Sequence, residues 1–540
     1  MAQRHLAALL LGGLMTVSAV LLLAVRSNLG FLLDDWAFVI YRSDGGIGDF
    51  LEPHNEHISI LPVTIYKLLL SVFGMSSAMP FHVVAVAAFL LAVVAVFWYL
   101  RPMVGDPVAV IACAVILFLG SAWEDLLWAF QMGFSLSLAG GIGALVMLRR
   151  EDRTGDLLAC LLLCVSVIST SLGLAFLAGA AVELLLRRDR RLKRLWVLAV
   201  PASIYAAWWI GWGHEAKTTI TGSNALGIPA YLFDSFQLTF AELNGSFRID
   251  SDLGGVLTRV IGALVLIGLG TWLYMKRRLP LPLLVALAIA LVFWGLTALN
   301  LHPGRAFDSS RYQLPGVIFL IMILAGAFDG VRPGSRTVFA VAAVACVGIV
   351  CNLFAMQDGY DRYFKPLSDK GIAGITALDL PLGQVNPDYL IGISENDVAK
   401  INAQGLFNAE ERYGDSPGWN EDEIEAAPKR ARNHLDQVLV GALPVSHVEV
   451  PAPAGDCRKR VATPAGDRSF PVPSPVFFIK PERNPVVLLG RFGDGAKAIT
   501  AFTEPGKTLR MRIPPDRANE PWRIAFKGEG GVLVCRVGPG

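Results

Sequence analysis

The sequence predicts a mainly α, polytopic transmembrane helical bundle followed by a soluble α+β domain that contains a β-sandwich. Three observations predict it. Of 540 residues, 54% are hydrophobic and only 17% are charged, whereas a soluble domain carries about 25%; mean hydropathy is +0.51. The apolar residues are bunched into runs of membrane-spanning length instead of following an amphipathic period. From about residue 357 these runs give way to frequent Pro, Gly, Asp and Arg. A net charge of +2 gives no reason to expect a nucleic-acid partner.

About eleven spans are expected, over residues 7–25, 80–100, 107–122, 129–148, 156–171, 172–187, 194–212, 255–275, 281–300, 314–330 and 336–355. The pair meeting at 171 is separated only by "STSLG". Arg4, Arg101, "RREDR" (149–153), "RRDRRLKR" (187–194), "KRR" (276–278) and "RPGSR" (332–336) fall at alternate connections. Eleven spans place them all on one side, which the positive-inside rule makes the cytoplasm. The expected topology has a cytoplasmic N-terminus, an extracytoplasmic C-terminal domain and a multi-pass location in a cell membrane, that of a bacterium. The first run is long and lacks a small-x-small cleavage site, so it reads as an uncleaved helix.

The opposite connections, 26–79, 121–128, 213–254 and 301–316, collect the unusual residues. Within the first, "ISILPVTIYKLLLSVFGM" (58–75) is interrupted by Pro62 and Lys67 and reads as an interfacial helix. The expected division is 1–356 for the membrane domain and 357–540 for the soluble domain. Its helical part covers about 357–445 and its β-sandwich about 446–540. Residues 394–407 and 420–441 read as helical, the second interrupted by Pro428. "HVEV", "PVFFIK", "PVVLLGRF", "TLRMRI", "WRIAFKG" and "GVLVCRV" read as strands. Of seven cysteines, Cys113, Cys160, Cys164, Cys346 and Cys351 lie in apolar runs and suit packing. Cys457 and Cys535 lie in the polar region, and an extracytoplasmic location makes them a disulfide candidate, with two free thiols as the alternative.

Asp34 and Asp35 follow the first span directly, ahead of Trp36 and the apolar "AFVI". A carboxylate held at the membrane edge can remove a proton from an acceptor hydroxyl or ligate a divalent cation; a hydrated helix end is the plainer alternative. "EPHNEH" adds His54, Glu56 and His57, the two histidines spaced to share one helical face. No HExxH or comparable zinc spacing is present, so these residues suit hydrogen bonding to sugar hydroxyls or phosphate. "HPGRAFDSSRYQLPG" places Arg305, Arg311 and Tyr312 in a connection where Arg is scarce. A guanidinium there matches a phosphate in charge and forked geometry. "SAWEDLLWAFQMGF" adds Trp123, Glu124, Asp125, Trp128 and Gln131; the tryptophans suit an interfacial belt, and Glu124 and Gln131 are substrate-binding candidates. The spans carry almost no charge apart from Glu183, near a cytoplasmic end, which argues against an ion-coupled transporter.

Taken together, "LDDW" (33–36), "NEHISILP" (55–62), "WEDLLWAFQ" (123–131) and "SRYQLPG" (310–316) resemble the GT-C glycosyltransferases, polytopic enzymes using polyprenyl-phosphate-linked sugars. The resemblance covers roughly residues 1–355. It implies an integral-membrane glycosyltransferase that transfers a sugar to an extracytoplasmic glycan, lipid or protein. Asp34 would be the base, with Asp35 positioning the acceptor or a metal. Arg311, with Arg305, would bind the lipid phosphate and stabilise the leaving group, and His57, with His54 and Glu56, would orient sugar or acceptor. A single displacement would invert the anomeric centre. Dependence on a divalent cation, Mg or Mn, is left open, with Asp34 and Asp35 as the ligands. The alternative from another class is a lipid-linked oligosaccharide flippase; a third reading is a non-catalytic membrane scaffold.

Overall fold

A computed structural model describes residues 2–42, 45–187, 191–216, 218–243, 252–277, 279–302, 306–383, 385–391, 401–451 and 456–536. The chain clusters into two compact units. The first comprises Met1–Asn28, Asp44–Leu68 and Met79–Tyr363, the second Leu29–Ser43, Leu69–Ala78 and Phe364–Gly540.

The first unit is helical. Among the described residues of the whole chain, seven helices are long and apolar enough to cross a membrane: His5–Arg26, Met79–Val104, Ala129–Leu148, Arg259–Lys276, Leu281–Leu299, Ser310–Ala327 and the helix beginning at Ser335. Arg153–Ser169, Gly173–Leu186 and Trp196–Gly211 are shorter, at 17, 14 and 16 residues. At 1.5 Å per residue, a 14-residue helix reaches only about 21 Å, against a hydrocarbon core of about 30 Å. The hydrophobic runs continue into turns, so run length overstates helix length here. The expected span 107–122 is broken instead of continuous. Asp106–Leu117 ends at Phe118, a 3-10 turn covers Gly120–Ala122, and the chain resumes as Trp123–Leu127 after a 41° bend.

Close approach explains that break. A Cβ on Gly120 would sit 1.7 Å from the Asn352 carbonyl oxygen, so only glycine lets the bend meet helix Ser335–Gly359. The amide freed at Ser121 donates to Asn352 Oδ1 at 2.9 Å, and Asn352 Nδ2 donates to the carbonyls of Glu242 and Gly348, each at 3.1 Å. Neighbouring helices thus satisfy polar groups that no water would reach. Lys67, the cation that interrupts the apolar helix Ile60–Phe73, is paired with Asp49 at 2.6 Å and lies over the Phe50 ring.

The second unit carries two antiparallel sheets. Strands are β1 (Ser446–Val450), β2 (Cys457–Val461), β3 (Ser469–Pro471), β4 (Val476–Pro481), β5 (Val486–Gly490), β6 (Ala498–Phe502), β7 (Thr508–Arg512), β8 (Arg523–Lys527) and β9 (Gly531–Arg536). One sheet runs β1-β7-β4-β9-β2, the other β3-β8-β5-β6. Alternation turns Phe477, Ile479, Met511, Val532 and Val534 of the first sheet into one core with Val487, Leu489, Ala501, Ile524 and Phe526 of the second. That shared core makes the pair a sandwich. Cys457 lies opposite Cys535 in the β2–β9 register, and the two form a disulfide.

Helix Lys429–Ala442 packs against β5 and β6. Its buried Asp436 accepts the backbone N–H groups of Arg491, Phe492 and Gly493 at 3.0, 3.1 and 2.9 Å. Pro428 separates that helix from Glu421–Ala426, whose N-terminus is closed by an Asn420–Glu423 capping box. The helix expected over 394–407 falls partly on residues outside the described ones; the helix observed is Ala403–Tyr413.

Candidate functional site

In the first unit the site is built on two short irregular turns. Trp123–Leu127, freed by the break after Leu117, carries Glu124 and Asp125 inward, where they are 4% and 3% exposed. The 3-10 turn Ser310–Tyr312 precedes helix Gln313–Ala327 and presents Arg311. Ser310 joins the two turns: its hydroxyl donates to the Ser121 carbonyl at 2.7 Å and accepts the Glu124 amide at 3.2 Å.

With the turns locked together, one Glu124 oxygen accepts the Arg311 amide at 2.8 Å and the other accepts Arg311 Nη2 at 3.0 Å. The guanidinium Nε lies 3.4 Å from the first of these oxygens. The carboxylate therefore orients both the backbone and the Nε–Nη2 edge of the arginine. Neither Asp125 oxygen closes a hydrogen bond of good geometry among the described residues; Arg311 and the Leu314 amide supply its favourable field. Arg26, at the end of the first helix, is 1% exposed and donates to the carbonyls of Leu126, His82 and Asp125 at 2.8, 3.3 and 3.5 Å. Two of these are orphan carbonyls at the C-terminal end of Trp123–Leu127.

The histidines do not share a helical face, contrary to their spacing. His54 and His57 exchange both backbone hydrogen bonds, at 2.9 and 3.0 Å, across a tight turn in which Asn55 takes φ 54. Two residues of left-handed or turn geometry replace the helical register, and the rings instead meet Phe130 and Phe134. His57 Nε2 lies 3.4 Å from Glu56 Oε1. Gln131, in the 3-10 turn Ala129–Gln131, is 2% exposed.

A cavity of about 160 Å³ in this unit has Glu56, His57 and Tyr312 in its wall, with Ser171 and Asn300. Tyr205, Thr218 and Thr297 add hydroxyl-bearing side chains, and the rest of the wall is apolar, including Phe134, Trp209, Phe293 and Leu296. Three residues singled out from two separate motifs thus line one space. Arg311 is adjacent in sequence to Tyr312, and Glu124 holds it. Arg305 lies outside the described residues.

Asp34 and Asp35 belong to the second unit. They are not a hydrated helix end: Asp34 is 6% exposed and Asp35 is 1%. Asp35 Oδ2 accepts the Leu32 amide at 2.8 Å, and Trp36 Nε1 donates to the Phe31 carbonyl at 3.1 Å. Leu33, immediately before the pair, is held at φ 40, a conformation that costs a non-glycine residue about 1–3 kcal/mol. The Gly30 amide donates to Ser368 Oγ at 2.9 Å, which anchors the segment within the unit.

No family model, curated protein or solved structure matches this chain. Function is therefore read from its own residues.

Sequence reasoning missed Ser121, Ser310, Asn352 and Arg26. The only signal for the first was a Gly-Ser pair inside an apolar run, and for the last a lone Arg ending a hydrophobic helix. Among the described residues no group of three or more His, Cys, Asp or Glu side chains is arranged to hold a metal ion.

Proposed function

We propose that this protein is an integral-membrane glycosyltransferase of GT-C type with about eleven spans. It moves a sugar from a polyprenyl-phosphate donor to an extracytoplasmic glycan, lipid or protein. The observation that carries the reading is the Glu124–Arg311 pair. It fixes a guanidinium next in sequence to Tyr312, which lines a largely apolar cavity with Glu56 and His57. An isoprenoid phosphate is apolar along its chain and anionic at one end, and such a wall with a neighbouring cation suits both parts.

In this reading Arg311 binds the lipid phosphate and stabilises the charge that develops on it as the glycosidic bond breaks. His57 and Glu56 hydrogen-bond the sugar or the acceptor, with His54 beside them. Asp34 is assigned the role of base: it takes the acceptor hydroxyl proton as that oxygen bonds to the anomeric carbon, inverting it while the polyprenyl phosphate leaves. Asp35, whose carboxylate is engaged by the Leu32 amide, is assigned to positioning. A divalent cation, Mg or Mn, would draw on these two carboxylates. The positive-inside count supports a cytoplasmic N-terminus and an extracytoplasmic second unit.

The test incubates purified full-length protein with a panel of polyprenyl-phosphate sugars and compares wild type with Asp34→Asn, Asp35→Asn and Arg311→Ala. Transfer by wild type that falls at least 100-fold in Asp34→Asn is expected. Unchanged transfer in both aspartate variants removes the base. Lipid translocation without transfer from any donor replaces the reading with the flippase.

A further inference from the structure

A second cavity, of about 590 Å³, lies wholly within the second unit. Its size is in the range of about 300–1,000 Å³ typical of small-ligand sites. Asp379, Gln404 and Arg517 supply its polar groups, and Phe407, Pro381 and Pro387 supply flat apolar surface.

The wall is fixed by three supports. Leu382 donates to the Pro515 carbonyl at 3.2 Å and Arg517 donates from its amide to Leu380 at 2.9 Å, so the two chain segments run side by side. Asp516, next to Arg517, is locked by Arg491 Nη1 at 2.5 Å and by Trp522 Nε1 at 3.2 Å. Helix Ala403–Tyr413 is capped by Asn402 and docked through the Gln404 amide on the Pro387 carbonyl at 3.0 Å. Gln404 Nε2 donates one of its two N–H groups to Asn408 Oδ1 at 2.7 Å, which leaves the other N–H and Oε1 for a ligand.

The chemistry of the wall narrows the ligand. Burial, with the Glu410 and Asp415 charges nearby, pushes Asp379 up to about 7 against the opposing pull of Arg517, so the surroundings of this wall do not favour an anion. A purely apolar ligand would leave three polar side chains unmatched. A carbohydrate ring offers what is left: hydroxyls that pair with carboxylate, amide and guanidinium groups, and C–H faces that pack on an aromatic ring or on proline.

From this we infer that the cavity bounded by Asp379, Gln404, Phe407 and Arg517 is a binding site for a neutral saccharide. The inference stands apart from the transfer reading, because binding here requires no reaction at Asp34 or Arg311.

The test uses full-length protein in detergent and neutral tetrasaccharides of glucose, mannose, galactose and arabinose, with oligogalacturonate as the anionic comparison. Binding is followed by saturation-transfer NMR and titration calorimetry. At least one neutral tetrasaccharide binds, and Gln404→Ala and Arg517→Ala each weaken it about tenfold, the effect of one lost hydrogen bond to a charged or amide group. Both side chains are exposed, so melting temperatures stay at the wild-type value and report any misfolding; Lys459→Ala, on the edge strand, binds as wild type. The inference is overturned by a protein that binds no neutral tetrasaccharide, that prefers oligogalacturonate, or whose binding ignores both substitutions. Transfer assayed on the same preparations keeps the two readings separable: active protein without saccharide binding removes only this site.

Discussion

Glu124 grips Arg311 twice, through its backbone amide at 2.8 Å and its guanidinium at 3.0 Å, although the two residues are 187 positions apart. The pair is asymmetric: the glutamate side chain is 6% exposed and the arginine 25%. Removing Arg311 takes the counter-charge from a buried carboxylate, whereas removing the Glu124 charge leaves the more exposed Arg311 in the field of Asp125.

Arg311→Ala is therefore expected to destabilise the protein more than Glu124→Gln, by about 3 kcal/mol against about 1 kcal/mol. Glutamine still accepts the Arg311 amide, whereas alanine strands a buried carboxylate. Chemical unfolding in detergent measures both, and equal losses would show that the pair is screened by solvent.

Gly120 tests how the bend positions Glu124. A methyl group there meets the Asn352 carbonyl at 1.7 Å, so Gly120→Ala should cost at least about 3 kcal/mol. Asn352→Ala, which strands the Ser121 amide, should cost about 2 kcal/mol. Glu124→Gln in either background should then add less than it does alone, because the turn that presents Glu124 has already moved.

The Cys457–Cys535 bridge closes a loop with a sequence separation of 78. A crosslink of that span stabilises by about 4 kcal/mol in the chain-entropy account. Cys457→Ser with Cys535→Ser should lower the unfolding midpoint accordingly, and thiol labelling of the native protein under denaturing, non-reducing conditions should leave both cysteines unlabelled.

His434 sets an acid limit on the second unit. Burial, with Lys370 adding to it, lowers its pKa from 6.5 to about 4, against hydrogen bonds involving Ile391 and Gln437. The unfolded chain takes up the proton below pH 6.5 and the folded chain only near pH 4. The neutral ring's contribution is thus complete above pH 6.5 and is lost as pH falls towards 4, by about 3 kcal/mol in all. Wild type should lose about that much more stability than His434→Gln over this window; parallel curves would contradict it.

Legibility in the sequence follows what surrounds each residue. β4, β5 and β9 were visible because one or both faces are buried and their apolar residues declare it. β2, "CRKRV", was not, since it is an edge strand with exposed Arg458 and Lys459. Charged edges protect against pairing with other chains, and they erase the pattern that strand recognition uses. Pro428 was read correctly as an interruption because its constraint is local. The histidines were misread because a three-residue spacing fits both a helix and a reciprocally bonded turn, and only the backbone at Asn55 distinguishes them.

By itself the sequence determined that this is a chain of apolar helices followed by a strand-rich domain, and that acids, histidines and an Arg-Tyr pair cluster in its connections. Those properties are carried by composition and short-range period. Only the tertiary structure decided that the span at 107–122 breaks, that Glu124 serves Arg311, that Glu56, His57 and Tyr312 line one cavity, and that Asp34 and Asp35 are buried. Each depends on packing between segments far apart in the chain, where a close approach at one glycine or a hydroxyl at Ser310 settles which partners meet.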